Sequence, residues 1–259
     1  VYATERHELI EQRLVTVGRV SVVDLARTFD VTTETIRRDL DHLEQSGLLR
    51  RVHGGAVALE RRSTTEPSLS QRALRHAAGK TAIARRALDA LEPGAPTSVF
   101  IDAGTTTAAV ATALAQHPPT HPVEIVTHAI ALAPHLAEIP QVSLTVVGGR
   151  VRGLTAAAVG ADTVRAISTF RPDVAFVGTN GISAGFGLST PDPDEAAVKT
   201  AIVRAARRVV VVADHAKFDD ELLVSFAGLA DIDVLVTDAA PGPVLASALA
   251  DADVEVWLP

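Results

Sequence analysis

From residue 97 onward, short apolar runs alternate with stretches of helical period, and few folds accommodate that order. The runs cover residues 97–102, 123–127, 142–149, 173–178, 208–214, 233–238 and 253–257. They are close to continuously apolar, as strands buried on both faces are. Helical patterns fall between them, near 106–116, 129–138, 160–169, 193–206 and 243–251. Repeated strand–helix order predicts a mostly parallel sheet covered by helices, a Rossmann-like α/β sandwich.

In a parallel sheet the carboxyl ends of all strands share one edge, and ligands of open α/β sheets bind there. Small polar residues gather at those ends. Asp102-Ala103-Gly104-Thr105-Thr106-Thr107 follows the first run, and Gly148-Gly149-Arg150 the third. Gly178-Thr179-Asn180-Gly181 follows the fourth, Asp214-His215-Ala216-Lys217 the fifth and Thr237-Asp238 the sixth. Glycine turns let the backbone approach a ligand. Gly104 to Thr107 also opens a helix, whose N–H groups and hydroxyls suit a phosphate. Each piece has a plainer reading: a helix cap, a tight turn, or an aspartate capping its own turn. Five pieces on one edge weigh more than any one.

The chain has only three lysines against 21 arginines, and Lys199 and Lys217 both fall near these loops. A lysine ammonium is a compact charge that a guanidinium fork does not replace. Glu195 and Lys199 are four apart on one predicted helix, which equally describes a surface pair.

The first sixty residues read differently. Residues 4–17 place Leu9, Ile10, Leu14 and Val17 on one helical stripe that ends at Gly18. Ser21 with Asp24 resembles a capping box before a helix with Val22, Leu25, Ala26 and Phe29 on its apolar face. After a break at Asp30-Val31, Thr32 caps a third helix with Ile36, Leu40 and Leu43 inward and Gly47 as its stop. Two β-like runs around Gly54-Gly55 then predict a wing. With those apolar residues inward, Thr33, Thr35, Arg37 and Arg38 lie on or beside the outward face of the third helix. Arginine makes bidentate bonds to guanine, and threonine contacts phosphate or a thymine methyl. Arg50, Arg51 and His53 in the wing would reach flanking phosphates. A solvated Arg-Arg face on a plain three-helix scaffold is the competing reading.

Residues 58–70 mix charge, Ser/Thr and Pro without apolar period, as an interdomain connection does. Leu74, Ala77, Ile83, Ala84, Ala87 and Leu88 then follow helical spacing, interrupted at Gly79. The expected division is 1–58, a linker at 59–70, and 71–259.

The strings ERHELIEQRL and GRVSVVDLARTFDVTTETIRRDLDHLEQSGLLRRVHGGAV resemble the winged helix-turn-helix of DeoR-type bacterial transcription regulators. FIDAGTTT, VVGGRV, FVGTNGISAGFGLSTPDPDEAAVK and VVVVADHAKF look like the sensor domain of the same family, so the resemblance spans almost the whole chain. It implies that Arg37 and Arg38 face double-stranded operator DNA and that the protein acts mainly as a repressor. It also implies a sensor related to ribose-5-phosphate isomerase and coenzyme A transferase folds, with a phosphorylated sugar as effector. The phosphate would lie near Gly104, Thr105, Thr106 and Thr107, and the hydroxyls near Asp102, Asn180, Glu195, Lys199, Asp214 and Lys217. Gly149, Arg150 and Gly181 complete the candidate ligand edge. A YA-ERH opening leans the resemblance toward a fructose-utilisation regulator and fructose 1-phosphate. One departure is visible: Thr127-His128 stands where the family's Thr-Asn pair is expected. His128 is therefore open between ligand contact and bystander.

The absence of cysteine removes disulfides, thiol catalysis and cysteine-based metal centres. No apolar run approaches the roughly 20 residues of a membrane span, and the opening segment is charged and helical rather than a secretory signal. A soluble cytoplasmic protein without a cofactor or metal, acting as a dimer or tetramer on repeated half-sites, is the expectation. Net charge is −7, but residues 1–62 balance ten arginines against ten acids, so the deficit lies beyond them. The competing function is a sugar-phosphate isomerase, with Asp102, Glu195, Asp214 and Lys217 supplying base and electrostatic partners. The N-terminal unit weighs against it.

Overall fold

The computed structural model describes residues 2–58, 63–64, 66–91 and 97–259. Residues 59–62 and 65 of the expected linker, with the Arg61-Arg62 pair, lie outside the described residues. The chain divides into two compact units, 1–62 with 70–75 and 63–69 with 76–259.

The smaller unit runs α1 (Ala3–Val17), β1 (Arg19–Ser21), α2 (Val22–Phe29), α3 (Thr33–Gln45), β2 (Leu49–Val52) and β3 (Gly55–Ala58). Ser21 caps α2 by accepting from Asp24 N, and Thr32 caps α3 by accepting from Thr35 N. Asp30 makes the tight turn between them at φ 53°, a left-handed conformation that aspartate tolerates. Val22, Leu25, Phe29, Ile36, Leu40 and Leu43 close on Ile10 and Leu14. The wing is a three-stranded antiparallel sheet in the order β1-β3-β2.

Two expectations need correction here. Leu9 and Val17 are exposed. The buried face of α1 instead runs through Arg6, Ile10 and Leu14, because Asp39 of α3 meets the Arg6 charge. The break in the following helical region is not at Gly79. It falls at His76, at φ 49°, between α4 (Leu69–Leu74) and α5 (Ala77–Ala87). Leu74 and Ala77 are exposed. Gly79 lies inside α5, where a Cβ would come within 2.3 Å of Asp238 Oδ2.

In the larger unit seven parallel strands form one sheet in the order β15-β14-β12-β9-β4-β5-β6. They are β4 (Thr97–Ile101), β5 (Val123–Thr127), β6 (Val142–Val146), β9 (Val174–Gly178), β12 (Arg208–Val212), β14 (Val234–Val236) and β15 (Glu255–Trp257). The intervening helices are α6 (Thr105–Gln116), α7 (Ala133–Ala137), α8 (Ala161–Ile167), α9 (Pro193–Ala205) and α10 (Pro243–Asp251). Phe100, Val177 and Val211 pack in one core cluster, and Val99, Ile101, Phe176, Val210 and Val212 in a second. Each central strand is thus buried on both faces, which is why its sequence is continuously apolar. Full burial of a side chain such as Phe100 or Phe176 contributes roughly 1.5–3 kcal/mol.

Five short strands decorate the sheet. β7 (Arg150–Arg152) and β8 (Ala157–Val159) form a hairpin. β10 (Gly181–Ser183), β11 (Gly187–Thr190) and β13 (Val224–Ala227) form a small antiparallel sheet. No helix among the described residues is long and apolar enough to cross a membrane.

Candidate functional site

The first strand of the large sheet, β4, lies between β5 and β9. The chain winds outward on one side through β5 and β6, then returns to β9 and winds outward on the other. The crevice beyond the carboxyl ends of β4 and β9 is therefore the topological switch point, where ligands of such sheets bind. Asp102 follows β4, and Gly178 ends β9.

Asp102 is fully buried, held by Gly178 N and Lys199, with the His128 ring against its other oxygen. Gly178 N donates to Oδ2 at 3.0 Å. Lys199 Nζ forms an ion pair with the same oxygen and donates to Gly178 O at 2.8 Å. His128 Nε2 lies 2.9 Å from Oδ1, while Nδ1 meets Ala158 O at 2.8 Å. Burial pushes the Asp102 carboxyl up, but the Lys199 charge and the His128 bond more than offset it and hold it at about 2. A carboxylate, an ammonium and an imidazole thus stand fixed at the switch point. His128 is a partner of Asp102 inside this cluster.

The first turn of α6 opens beside Asp102. Gly104 precedes it, and the Thr107 hydroxyl turns back to Gly104 O at 3.0 Å. The leading N–H groups of any α-helix have no partner within the helix, and those of Thr105 and Thr106 carry its positive end. Thr105 is half-buried, Thr106 and Thr107 buried.

Glu195 and Lys199 do not pair with each other among the described residues, and neither is a surface group. Both are buried on α9, and each has its own partner. Glu195 accepts from the Thr155 hydroxyl and meets Arg152 Nη1 at 3.2 Å. Arg152 Nε holds Asp192 at 3.0 Å, and Asp192 caps α9 by accepting from Glu195 N. Burial would lower the Arg152 pKa, but Glu195, Glu66 and Asp192 raise it above its ordinary value. Arg150, the arginine singled out by sequence, is exposed and pairs with Asp194 at the surface. Gly149 is exposed, and a Cβ there would come within 2.0 Å of Thr163 Oγ1, so packing requires the glycine. Asn180 is half-buried, with its N–H on Ser189 O at 3.1 Å, and Gly181 begins β10.

A second cluster stands at the ends of β12 and β14. Asp214 is buried, caps its own turn through Ala216 N, and lies 4.0 Å from Lys80 Nζ. Lys217 is half-buried in that turn. His215 bonds Asp238 through its N–H at 2.8 Å, and its ring lies 4.9 Å from that of His76. The Lys80 site was missed from sequence, although Lys80 is the third of only three lysines. Its spacing to Ile83, Ala84 and Ala87 puts it on the buried face of α5. Among the described residues no group of three or more His, Asp or Glu could hold a metal ion.

On the smaller unit, the Arg37 and Arg38 side chains are 54% and 80% exposed, each 3.6 Å from Glu34. Thr33 is exposed, whereas the Thr35 hydroxyl bonds that of Thr32 at 2.9 Å. Beneath them Asp39 holds Arg6 Nε at 2.6 Å and His7 at 2.8 Å, joining α3 to α1. In the wing Arg50 and His53 are exposed, while Arg51 turns back to pair with Asp41 of α3.

Comparison with known proteins accords with both units. Residues 6–62 match the DeoR-like helix-turn-helix domain, and residues 75–239 match the DeoR C terminal sensor domain. The chain is 34% identical over 235 residues to an uncharacterized HTH-type transcriptional regulator, FruR, of Bacillus subtilis, covering 91% of each. It is 33% identical over 255 residues to the glycerol-3-phosphate regulon repressor of Escherichia coli, covering 98% of each. Among solved structures, ribose 5-phosphate isomerase A of Neisseria gonorrhoeae is similar at 15% identity and a TM-score of 0.38, over 54% of this chain and 52% of that one. That score is too low to bear on function. The relatives are named as transcription regulators, and the two matched domains take in most of the sequence: the chain belongs to the DeoR family of helix-turn-helix transcription regulators.

Proposed function

We propose that this protein represses a sugar-utilisation operon and releases its operator when a phosphorylated sugar binds the larger unit. The observation that carries the reading is the fixed set of Asp102, Lys199 and His128 at the switch point, beside the open first turn of α6. The phosphate fits the N–H groups and hydroxyls of Gly104, Thr105, Thr106 and Thr107. Sugar hydroxyls fit Asn180, Gly181, Glu195, Lys199, Asp214 and Lys217, with Gly149 and Arg150 at the outer rim. Asp102, whose carboxylate is already held by Gly178 N and Lys199, acts through Lys199. A relative named for a glycerol-3-phosphate regulon supports a phosphorylated ligand class. Fructose 1-phosphate is the first candidate.

On DNA, α3 enters the major groove with Arg37 and Arg38 toward base edges and Thr33 and Thr35 beside them. Arg50, Arg51 and His53 of the wing reach flanking phosphates. A dimer or tetramer places two such helices on paired half-sites. Thermal denaturation of the full chain against fructose 1-phosphate, glycerol 3-phosphate and the unphosphorylated sugars tests the sensor reading. A ligand at 100 times its Kd stabilises by roughly 2.7 kcal/mol. A rise with one phosphorylated compound alone is expected, and equal rises with its unphosphorylated partner refute it.

A further inference from the structure

Glu66 lies on residues 63–69, between the two stretches of chain that build the smaller unit, yet that segment groups with the larger one. Its side chain is only 2% exposed, and Oε2 is 2.7 Å from Arg152 Nη1. Burying a carboxylate is costly unless cations meet it, and the Arg152 contact offsets part of that cost. The same Nη1 also meets Glu195 at 3.2 Å, while Nε serves Asp192. Two carboxylates meeting on one nitrogen repel, and each weakens the other's hold. A second tie fixes the segment: Leu223 N donates to Ser63 O at 3.1 Å.

We propose that the Glu66–Arg152 pair is a latch on the linker, and that Glu195 sets its strength. A ligand whose hydroxyls engage Glu195 draws that carboxylate from Arg152 and tightens the grip on Glu66. Linkage makes the effect reciprocal. A DNA complex that needs the linker free then disfavours the ligand, and the ligand disfavours that complex. The ligand step rests on the reading of Glu195 as a hydroxyl contact; the latch does not.

The test is amide hydrogen exchange of the full chain, read at Leu223 with Val210 in the sheet core as control. Glu66→Gln keeps the shape and removes the charge, and is expected to speed Leu223 exchange about tenfold while Val210 is unchanged. Arg152→Lys, which keeps one charge but cannot serve three carboxylates, is expected to act in the same direction. Glu195→Gln is expected to slow Leu223 exchange in the parent and to change nothing in the Glu66→Gln background. Equal Leu223 exchange in the parent and Glu66→Gln overturns the latch. No slowing by Glu195→Gln in the parent, or the same slowing in both backgrounds, overturns the shared arginine. Fructose 1-phosphate is then added as probe. If it raises the melting temperature, it is expected to slow Leu223 exchange in the parent but not in Glu66→Gln; stabilisation without slowing overturns the ligand step. If it stabilises nothing, the ligand assignment fails and the ligand step with it, while the variants alone decide the latch.

Discussion

Replacing Lys199 with methionine leaves the Asp102 carboxylate in a buried site with His128 as its remaining side-chain partner. In the parent, a carboxyl held at about 2 against an ordinary 3.8 corresponds to roughly 2 kcal/mol of stability at neutral pH. Breaking a buried pair by removing one partner costs more, about 3–5 kcal/mol, because burial of the stranded charge is no longer offset. For a unit of this size 1 kcal/mol moves the melting temperature by about 2–4 °C, so Lys199→Met is expected to lower it by roughly 6–20 °C at pH 7. The pH dependence has a fixed sign. A depressed carboxyl contributes stability above its unfolded value near 3.9 and loses it as pH falls toward 2. In the variant the carboxyl takes up its proton at higher pH, so the deficit is largest at neutrality and shrinks in acid. Asp102→Asn in the same background removes the stranded charge and restores part of the loss. Circular dichroism melts of the parent and both variants between pH 3 and 7 measure this. A fall below about 2 °C, or one of equal size at both ends, refutes the cluster's electrostatics.

Arg37→Ala and Arg38→Ala are each expected to weaken operator binding by at least about tenfold, worth about 1–3 kcal/mol per base contact, and to leave the melting temperature unchanged. A gel-shift titration at fixed salt checks both. Asp39→Asn removes the charge that Arg6 and His7 meet and is expected to destabilise the smaller unit by about 3 kcal/mol, whereas Arg6→Met with Asp39→Leu costs less than the single change. Denaturant titration decides it. Burial raises the Asp39 carboxyl, but the Arg6 and His7 bonds lower it further, so its contribution is present at neutral pH and fades in acid. Lys217→Ala is expected to bind DNA like the parent and lose the response to phosphosugar; overlaid release curves would rule that out.

The five inner strands of the large sheet were legible because burial on both faces writes an unbroken apolar run, and their loops then fell on one edge; β6 and β15, also expected to be buried on both faces, are edge strands with Val146 and Val256 exposed. The small strands were not. β1, β7 and β10 hold one apolar side chain each, which writes no run, and their pairing comes from elsewhere in the chain. On α1 the helical period was visible but its phase was not. Leu9 was placed on the apolar stripe and Arg6 was not considered for it, because nothing local reports an aspartate 33 residues away. The same blindness separated Arg150 from Arg152. Both sit on one short strand, and what α9 and Glu66 bring to it makes one a surface pair and the other the partner of three carboxylates. Glu66 looked like ordinary linker polarity for the same reason. His128 stood out as a departure from the family pattern, but its bonds to Asp102 and Ala158 belong to the fold rather than to any motif.

The most direct measurement is operator affinity of the full chain, on a duplex selected for binding, with and without each phosphosugar and its unphosphorylated partner at constant salt. The predicted result is loss of at least about tenfold in affinity with one phosphorylated sugar and no change with its unphosphorylated form. Undiminished affinity with a phosphosugar that demonstrably stabilises the protein would contradict a repressor relieved by its sensor.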